Sequence, residues 1–429
     1  MKNRIIKVVF TFLLCGGVAL SSHTALLTEA SEIEEGFEIT EGTTEQEAVS
    51  QNEIIIPEAY ENLNLYAQSA VLIDGDTNRI LYAKNADALM PNASTTKILT
   101  CILAIELGEM NQVCPVSDYA RTMPETKCGF YEGDSFFLKD LLYSLMLESH
   151  NDSAVVIAET IGGSVEGFAQ LMNEKAAGIG CTNSYFITPN GLDGEDETGI
   201  HGASAYDLAL IMNYCRQNET FLEITQAASH TFSDVEGKHT YSVSNKNSFL
   251  TMQSGAITGK TGFTSKAGYC YVGAYQENGR NYSYAVLACG WPNNKTYKWK
   301  DSKALIAYGN EYYQDELVGE TETLYELEIP QGITIEADSF DYRTTTKVKN
   351  DGNQWEMLLG EQDQVTTEFV YEPVLLPIKR NEKAGVVNYY INGNFAGTQD
   401  LFYTENVLKQ DLKWCFTYFL QEFLQKASF

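Results

Sequence analysis

Positive charge is scarce in this chain. Its 429 residues hold 29 Lys and Arg against 58 Asp and Glu, a net charge of −29. Binding to nucleic acid needs clustered cations, so this deficit excludes it. The same field repels other polyanions, and affinity for an anionic ligand has to come from a local site. Proline is sparse as well, at 9 residues, which excludes collagen-like architecture. Cysteine never occurs as C-x-x-C, and the five histidines form no H-E-x-x-H, so no metal or other cofactor is expected. A G-x-S-x-G elbow is also missing, which disfavours an α/β-hydrolase triad. Apolar material, by contrast, is plentiful: 44% of residues are hydrophobic and 12% aromatic, enough for two or three domains with a sizeable core.

The two ends differ from the middle. Lys2, Arg4 and Lys7 precede the apolar run from Val8 to Leu20, and small residues follow near Ala25 and Ala30. Residues 1–30 therefore read as a secretory signal, too short in its apolar part to span a bilayer comfortably. Cys15 follows Leu14, where a lipid-modification site wants a small residue, so lipoprotein processing is not expected. Residues 31–55 carry eight glutamates and no Lys or Arg, the composition of a flexible acidic leader. At the other end, residues 406–429 repeat Leu408, Leu412, Cys415, Phe416, Phe419 and Phe423 at helical spacing. Lys409, Lys413, Glu422 and Lys426 interrupt the run. That pattern predicts an amphipathic helix, either packed on its own domain or lying on a membrane surface. Export permits disulfides, but most of the cysteines beyond the signal sit in apolar runs and read as buried thiols; Cys114 with Cys128 is the one pair to test as a bridge.

Between the ends, residues 68–83 read as two strands joined by a Gly-Asp turn. Residues 94–107 form an apolar helix stopped by Gly108, and further helices are expected at 137–147, 152–161, 164–180 and 204–216. Ala256–Gly259, Gly268–Gln276 and Tyr282–Cys289 are strand-like. Strands, a helical cluster and strands again predict an α+β domain over 56–315 with a mostly antiparallel sheet. From 320 to 405 the pattern becomes all-β, with Asn392-Gly393 marking a hairpin.

Three short motifs carry the chemistry. Ser94-Thr95-Thr96-Lys97 is S-x-x-K at the start of the apolar helix. Ser149-His150-Asn151 is S-x-N in the break between two helices, and Lys260-Thr261-Gly262 is K-T-G in a strand-like stretch. Singly, each reads as a helix cap or a solvated lysine. Together, in that order and those contexts, they are a strong signal. A serine hydroxyl needs a base to take its proton. Positions i and i+3 share a helix face, so Lys97 can reach Ser94. Burial and the second cation, Lys260, favour the neutral amine that a base requires. Ser149 can relay a proton to a leaving amine, Asn151 can offer an amide to the substrate, and Lys260 and Thr261 can bind a carboxylate beside a strand edge.

On these motifs the chain resembles the serine-type D-alanyl-D-alanine carboxypeptidases, the low-molecular-weight penicillin-binding proteins. The likeness extends over roughly residues 56–405 through ASTTK, TPNGLD at 188–193, SAYDLALIM at 204–212 and GKTGFTSKAGYC at 259–270. It implies a catalytic domain like that of the serine β-lactamases, then a β-rich domain, and often a membrane-associating tail. It also implies removal of the terminal D-Ala from peptidoglycan stem pentapeptides outside the cytoplasm, with β-lactams as inhibitors. Ser94 would be the acyl-ester nucleophile, Lys97 the proton acceptor and Ser149 the relay. Asn151, Lys260 and Thr261 would hold substrate, and the backbone N–H groups of Ser94 and Phe263 would form the oxyanion hole. His150 departs from the small residue usual inside S-x-N, and is expected to narrow the cleft or add a titrating group. Two alternatives remain at this level. A β-lactamase would need fast deacylation, yet Glu159 and Glu166 lack the E-x-x-L-N context. A silent cell-wall protein of the same fold would fail to react with penicillin.

Overall fold

A computed structural model describes residues 59, 61–330, 332–335 and 342–426. The expected signal and leader, residues 1–30 and 31–55, lie outside the described residues. The chain divides into two compact units, one of Ile56–Glu316 with Glu356–Gln362, the other of Leu317–Trp355 and Asp363–Phe429.

Five strands rich in β-branched and aromatic residues build the first unit's sheet: β1 Ser69–Asp74, β2 Ile80–Lys84, β3 Ala256–Thr264, β4 Gly268–Glu277 and β5 Arg280–Leu287. All pairings are antiparallel, in the order β2-β1-β5-β4-β3. Pairing of β1 with β5, with Ala70 opposite Val286, joins the two ends of the unit. Every residue of β1 is buried. The reason is that α4 (Ala205–Cys215) and α5 (Tyr297–Tyr312) both pack against β1, β4 and β5 and cover the sheet on its two faces. Helix α5 was not legible beforehand, because its sequence alternates lysine with aromatics and carries no clean apolar stripe. Its side of the core is tyrosine-rich: Tyr271, Tyr282, Tyr284, Tyr308 and Tyr313 are fully buried, and Tyr82 meets Tyr308 edge-on at 5.1 Å.

Helices α1 (Lys97–Leu107), α2 (Asn151–Gly162) and α3 (Val165–Ile179) come from the middle of the chain. Helix α1 is buried along Lys97–Ala104, as its near-continuous apolar sequence requires. Gly108 ends it, though not by adopting a left-handed cap. Its φ is −105°, and a Cβ there would lie 2.5 Å from a Leu138 methyl, so close packing explains the glycine. The expected helix 137–147 is a short α-helix, Leu138–Tyr143, that widens into a π-turn at Ser144–Glu148. A hairpin of Ser229–Ser233 and Thr240–Ser244 also belongs to this unit. All eight cysteines from Cys101 to Cys415 are free thiols, so Cys114 and Cys128 are not bridged.

In the second unit, β6 Leu324–Glu328, β7 Thr345–Asn350, β8 Val365–Tyr371, β9 Lys383–Ile391 and β10 Asn394–Tyr403 form a sheet in the order β6-β7-β10-β9-β8. The β9–β10 turn is Asn392-Gly393 with φ of 51° and 84°, the pair of left-handed residues that a type I′ turn demands. Val387, Tyr389, Ile391 and Leu401 point into its core. Helix α6 (Leu412–Lys426) follows and leaves its apolar residues uncovered, with Leu412 90% and Phe416 68% exposed. No helix among the described residues is long and apolar enough to cross a membrane.

Candidate active site

The S-x-x-K segment does not sit inside α1, as the sequence pattern implied. Ala93–Thr96 form a 3-10 turn, and the α-helix starts at Lys97. In a 3-10 turn, side chains at i and i+3 eclipse. Ser94 Oγ therefore stands 3.0 Å from Lys97 Nζ. Lys97 is completely buried. Its amine also lies 2.9 Å from Asn151 Oδ1 and 2.6 Å from the Asn190 carbonyl oxygen. Those two oxygens can only accept. A neutral amine satisfies both with its two hydrogens and turns its lone pair to Ser94 Oγ, the one neighbour able to donate. Burial, aided by the Lys260 charge, holds the Lys97 pKa well below that of a free lysine, although Asp152 opposes the shift.

The π-turn at Ser144–Glu148 ends on Ser149, whose φ of 69° is left-handed. This reversal aims the Ser149 hydroxyl into the cleft, where its oxygen is shielded from solvent and has no hydrogen-bond partner. Asn151 opens α2, but its amide is turned inward. Besides meeting Lys97, it donates from Nδ2 to the Pro124 carbonyl, 3.1 Å away, and it does not line the cleft. His150 departs from expectation too. The imidazole is buried and does not line the cleft: its Nδ1 lies 2.8 Å from Ser144 Oγ, and its Nε2 faces the cleft-lining Glu148 at 3.8 Å. Burial lowers its pKa against the pull of Asp152 and Glu148.

Strand β3 supplies the opposite wall. Asn247 Nδ2 donates to the outward carbonyl of Gly259. Backbone polarity alternates along a strand, so Thr261 and Phe263 also present their N–H and C=O groups outward. Gly262 is where the strand meets the nucleophile turn: a Cβ there would lie 2.9 Å from the Asn92 carbonyl and 3.1 Å from the Ser94 nitrogen. Lys260 is buried, donates to the Thr261 carbonyl at 3.0 Å, and has its pKa lowered to about 7 by desolvation.

These walls enclose a cleft of about 570 Å³ lined by Ser94, Ser149, Lys260, Thr261 and Phe263, with Glu125, Glu148, Lys246, Lys295, Lys298 and Trp299. Four of its lining residues are lysines. Glu148 is already engaged by Lys246 at 3.2 Å and by Ser244. Lys298 reaches over the rings of Tyr269 and Trp299, and burial lowers its pKa to about 8. In a chain of net charge −29, the cleft is thus the local site that favours an anionic ligand.

Residues 56–289 match the model of the D-alanyl-D-alanine carboxypeptidase family, peptidase family S11. The chain belongs to that family. The D-alanyl-D-alanine carboxypeptidase DacB2 of Mycobacterium tuberculosis is 34% identical over 248 residues, which cover 57% of this chain and 82% of the relative. DacF of Bacillus subtilis, another D-alanyl-D-alanine carboxypeptidase, is 29% identical over 271 residues, 62% of this chain and 68% of its own. Among solved structures, the D-alanyl-D-alanine carboxypeptidase DacD of Francisella tularensis shares the fold with a TM-score of 0.62 at 22% identity, over 84% of this chain and 97% of that one. A Mycobacterium tuberculosis D-alanyl-D-alanine carboxypeptidase superposes with a TM-score of 0.55 at 29% identity, over 60% and 96%.

The carboxypeptidase site brings all six residues singled out from the motifs to one place, with Asn151 facing the base rather than the cleft. Sequence reasoning missed Asn190, Lys298 and His201. Asn190 stands in TPNGLD, which carried part of the resemblance but received no role. His201 was set aside as structural.

Proposed function

We propose that Ser94, Lys97 and Ser149 carry out the D,D-carboxypeptidase reaction, removing the terminal D-Ala of peptidoglycan stem pentapeptides through an acyl-enzyme. One observation carries this reading: a fully buried amine 3.0 Å from a cleft-lining serine, with two carbonyl oxygens occupying its hydrogens. Lys97 takes the hydroxyl proton as Ser94 Oγ bonds to the penultimate D-Ala carbonyl carbon. The resulting oxyanion is held by the N–H groups of Ser94 and Phe263, which Gly262 keeps close together. Ser149 passes the proton to the nitrogen as the amide C–N bond breaks, and D-Ala leaves. Water then attacks the ester, its proton going to Lys97, and Lys97 hands that proton to Ser94 Oγ as the ester C–O bond breaks, restoring the free serine and the neutral amine. Lys260 and Thr261 hold the terminal carboxylate, and the outward edge of β3 takes the peptide as an added strand.

Penicillin, a mimic of the acyl donor, is expected to leave a long-lived adduct. Glu159 and Glu166, the residues a β-lactamase reading would favour for activating water, line a separate cavity at the far end of α2. The test is mass spectrometry of the penicillin-treated protein. An adduct on Ser94, absent in Ser94→Ala along with D-Ala release, supports the reading; an adduct elsewhere, or turnover of benzylpenicillin within seconds, refutes it.

The protein acts outside the cytoplasm on this reading, with α6 lying on the membrane surface. Leu412, Phe416, Phe419 and Phe423 fall on one helical face and are exposed.

A further inference from the structure

His201 is a buried imidazole with no part in the reaction above. It stands just before α4, yet both ring nitrogens reach toward the active site. Nδ1 accepts from the backbone N–H groups of Ile187 at 3.0 Å and Thr188 at 3.3 Å. An acceptor Nδ1 leaves the ring proton on Nε2, which lies 3.0 Å from Thr96 Oγ1. One ring therefore ties the segment before Asn190 to the 3-10 turn holding Ser94. Thr96 immediately precedes Lys97, and Thr188 is two residues from the carbonyl that Lys97 needs.

Other contacts brace the same region. Asn92 Nδ2 donates to Thr96 Oγ1 at 3.0 Å within the nucleophile turn, and Thr100 Oγ1, one turn further on, donates to the Pro189 carbonyl at 2.6 Å and so ties the two segments together. Gly191 has a φ of 81°, and a Cβ there would lie 1.9 Å from the Ala93 carbonyl oxygen. The segment is thus pressed onto the backbone of the nucleophile turn, and His201 fixes the spacing from the other side.

We propose that His201 is a positioning residue for the Ser94–Lys97 pair, a strut whose two nitrogens set the separation between the Asn190 carbonyl and the nucleophile turn. This rests on Lys97 being the base. The carbonyl of Asn190 occupies one amine hydrogen and so directs the lone pair at Ser94. When the strut is cut, the carbonyl drifts, water reaches the amine, and the ammonium form gains. The ring suits this task because it stays uncharged: burial alone favours the neutral form, and its pKa is lowered to about 4. Protonation would put a donor against the two N–H groups of Ile187 and Thr188.

The experiment measures acylation by a fluorescent penicillin against pH in the full chain, for wild type and for His201→Ala, His201→Asn, His201→Gln and Thr96→Val, with circular dichroism to verify folding. His201→Ala should acylate about 10- to 100-fold more slowly, the scale of a misplacement of about 1 Å, with reversible penicillin affinity unchanged. Its half-maximal pH should move upward as Lys97 becomes hydrated. His201→Asn keeps an acceptor for Ile187 and Thr188, and His201→Gln keeps a donor for Thr96, so each should recover part of the rate. Thr96→Val, near-isosteric, removes the partner of Nε2 together with the acceptor for Asn92 Nδ2, and should move the midpoint in the same direction even if the alanine variant fails to fold. Wild-type rates and midpoints in folded His201→Ala or Thr96→Val overturn the proposal. So does a loss with an unmoved midpoint that neither Asn nor Gln recovers. If wild type itself forms no Ser94 adduct, the underlying reaction fails instead, a result visible without any His201 variant.

Discussion

Lys97 and Lys260 are both buried, but their pKa values serve opposite ends of the substrate. In the proposed reaction Lys97 has to be neutral to act, whereas Lys260 has to be charged to hold a carboxylate. With its pKa lowered to about 7, Lys260 is mostly protonated below that pH and loses its charge above it. KM for a D-Ala-D-Ala peptide should therefore rise as pH passes about 7, while kcat does not fall over the same range. Lys260→Arg, ionised throughout, should flatten that limb in a KM-against-pH series. Lys97→Ala should slow acylation by about 10²- to 10⁴-fold, the usual yield of a positioned base, measured by stopped-flow with penicillin. Gly262→Ala tests geometry instead of charge. Its Cβ meets the Asn92 carbonyl at 2.9 Å, so strand and nucleophile turn must separate; kcat should fall, and the overpacking should cost about 1–3 kcal/mol, read as a lower melting temperature.

At the scale of elements, the strand hairpin 68–83, helix α1 and the turn at Asn392-Gly393 were readable because their signals are local: apolar periodicity and left-handed turn residues. Gly393→Ala puts a Cβ on a residue with φ of 84° and should destabilise the second unit by about 1 kcal/mol, with unchanged penicillin labelling, read as a shift in one of two thermal transitions. Helix α5 and the hairpin Ser229–Ser244 were not readable, since their side chains answer to the sheet and to the 130–148 segment and not to their own sequence neighbours. His230 and His239, for example, pair with Asp140 and Asp134 from that segment at 2.7 and 2.8 Å. The candidate site follows the same division. Types and order of the motif residues announced Ser94, Lys97, Ser149, Lys260 and Thr261. Asn190 meets Lys97 through a backbone carbonyl, which leaves no side-chain signature, and the inward turn of Asn151 depends on Lys97 being buried beside it.

For the whole molecule, net charge and tail pull in different directions. A body of net charge −29 is repelled by an anionic bilayer, while the exposed face of α6 offers apolar contact. Binding to vesicles containing anionic lipid should therefore strengthen as ionic strength rises from about 0.01 to 0.15 M, because the Debye length shrinks from about 30 to 8 Å. Removing residues 406–429 should abolish that binding in a sedimentation assay without altering D-Ala release. The burial of α1 along Lys97–Ala104 has a consequence for antibiotic durability. Lys97, the base in the proposed reaction, is also a core residue, so a lineage under drug pressure cannot replace it without loosening the interior. Escape is left to rim positions such as Glu125 and Lys295, which the fold does not need. A compound that bonds to Ser94, so that its reaction depends on the buried Lys97, and holds Lys260 while ignoring the rim, would face the fewest viable resistant variants.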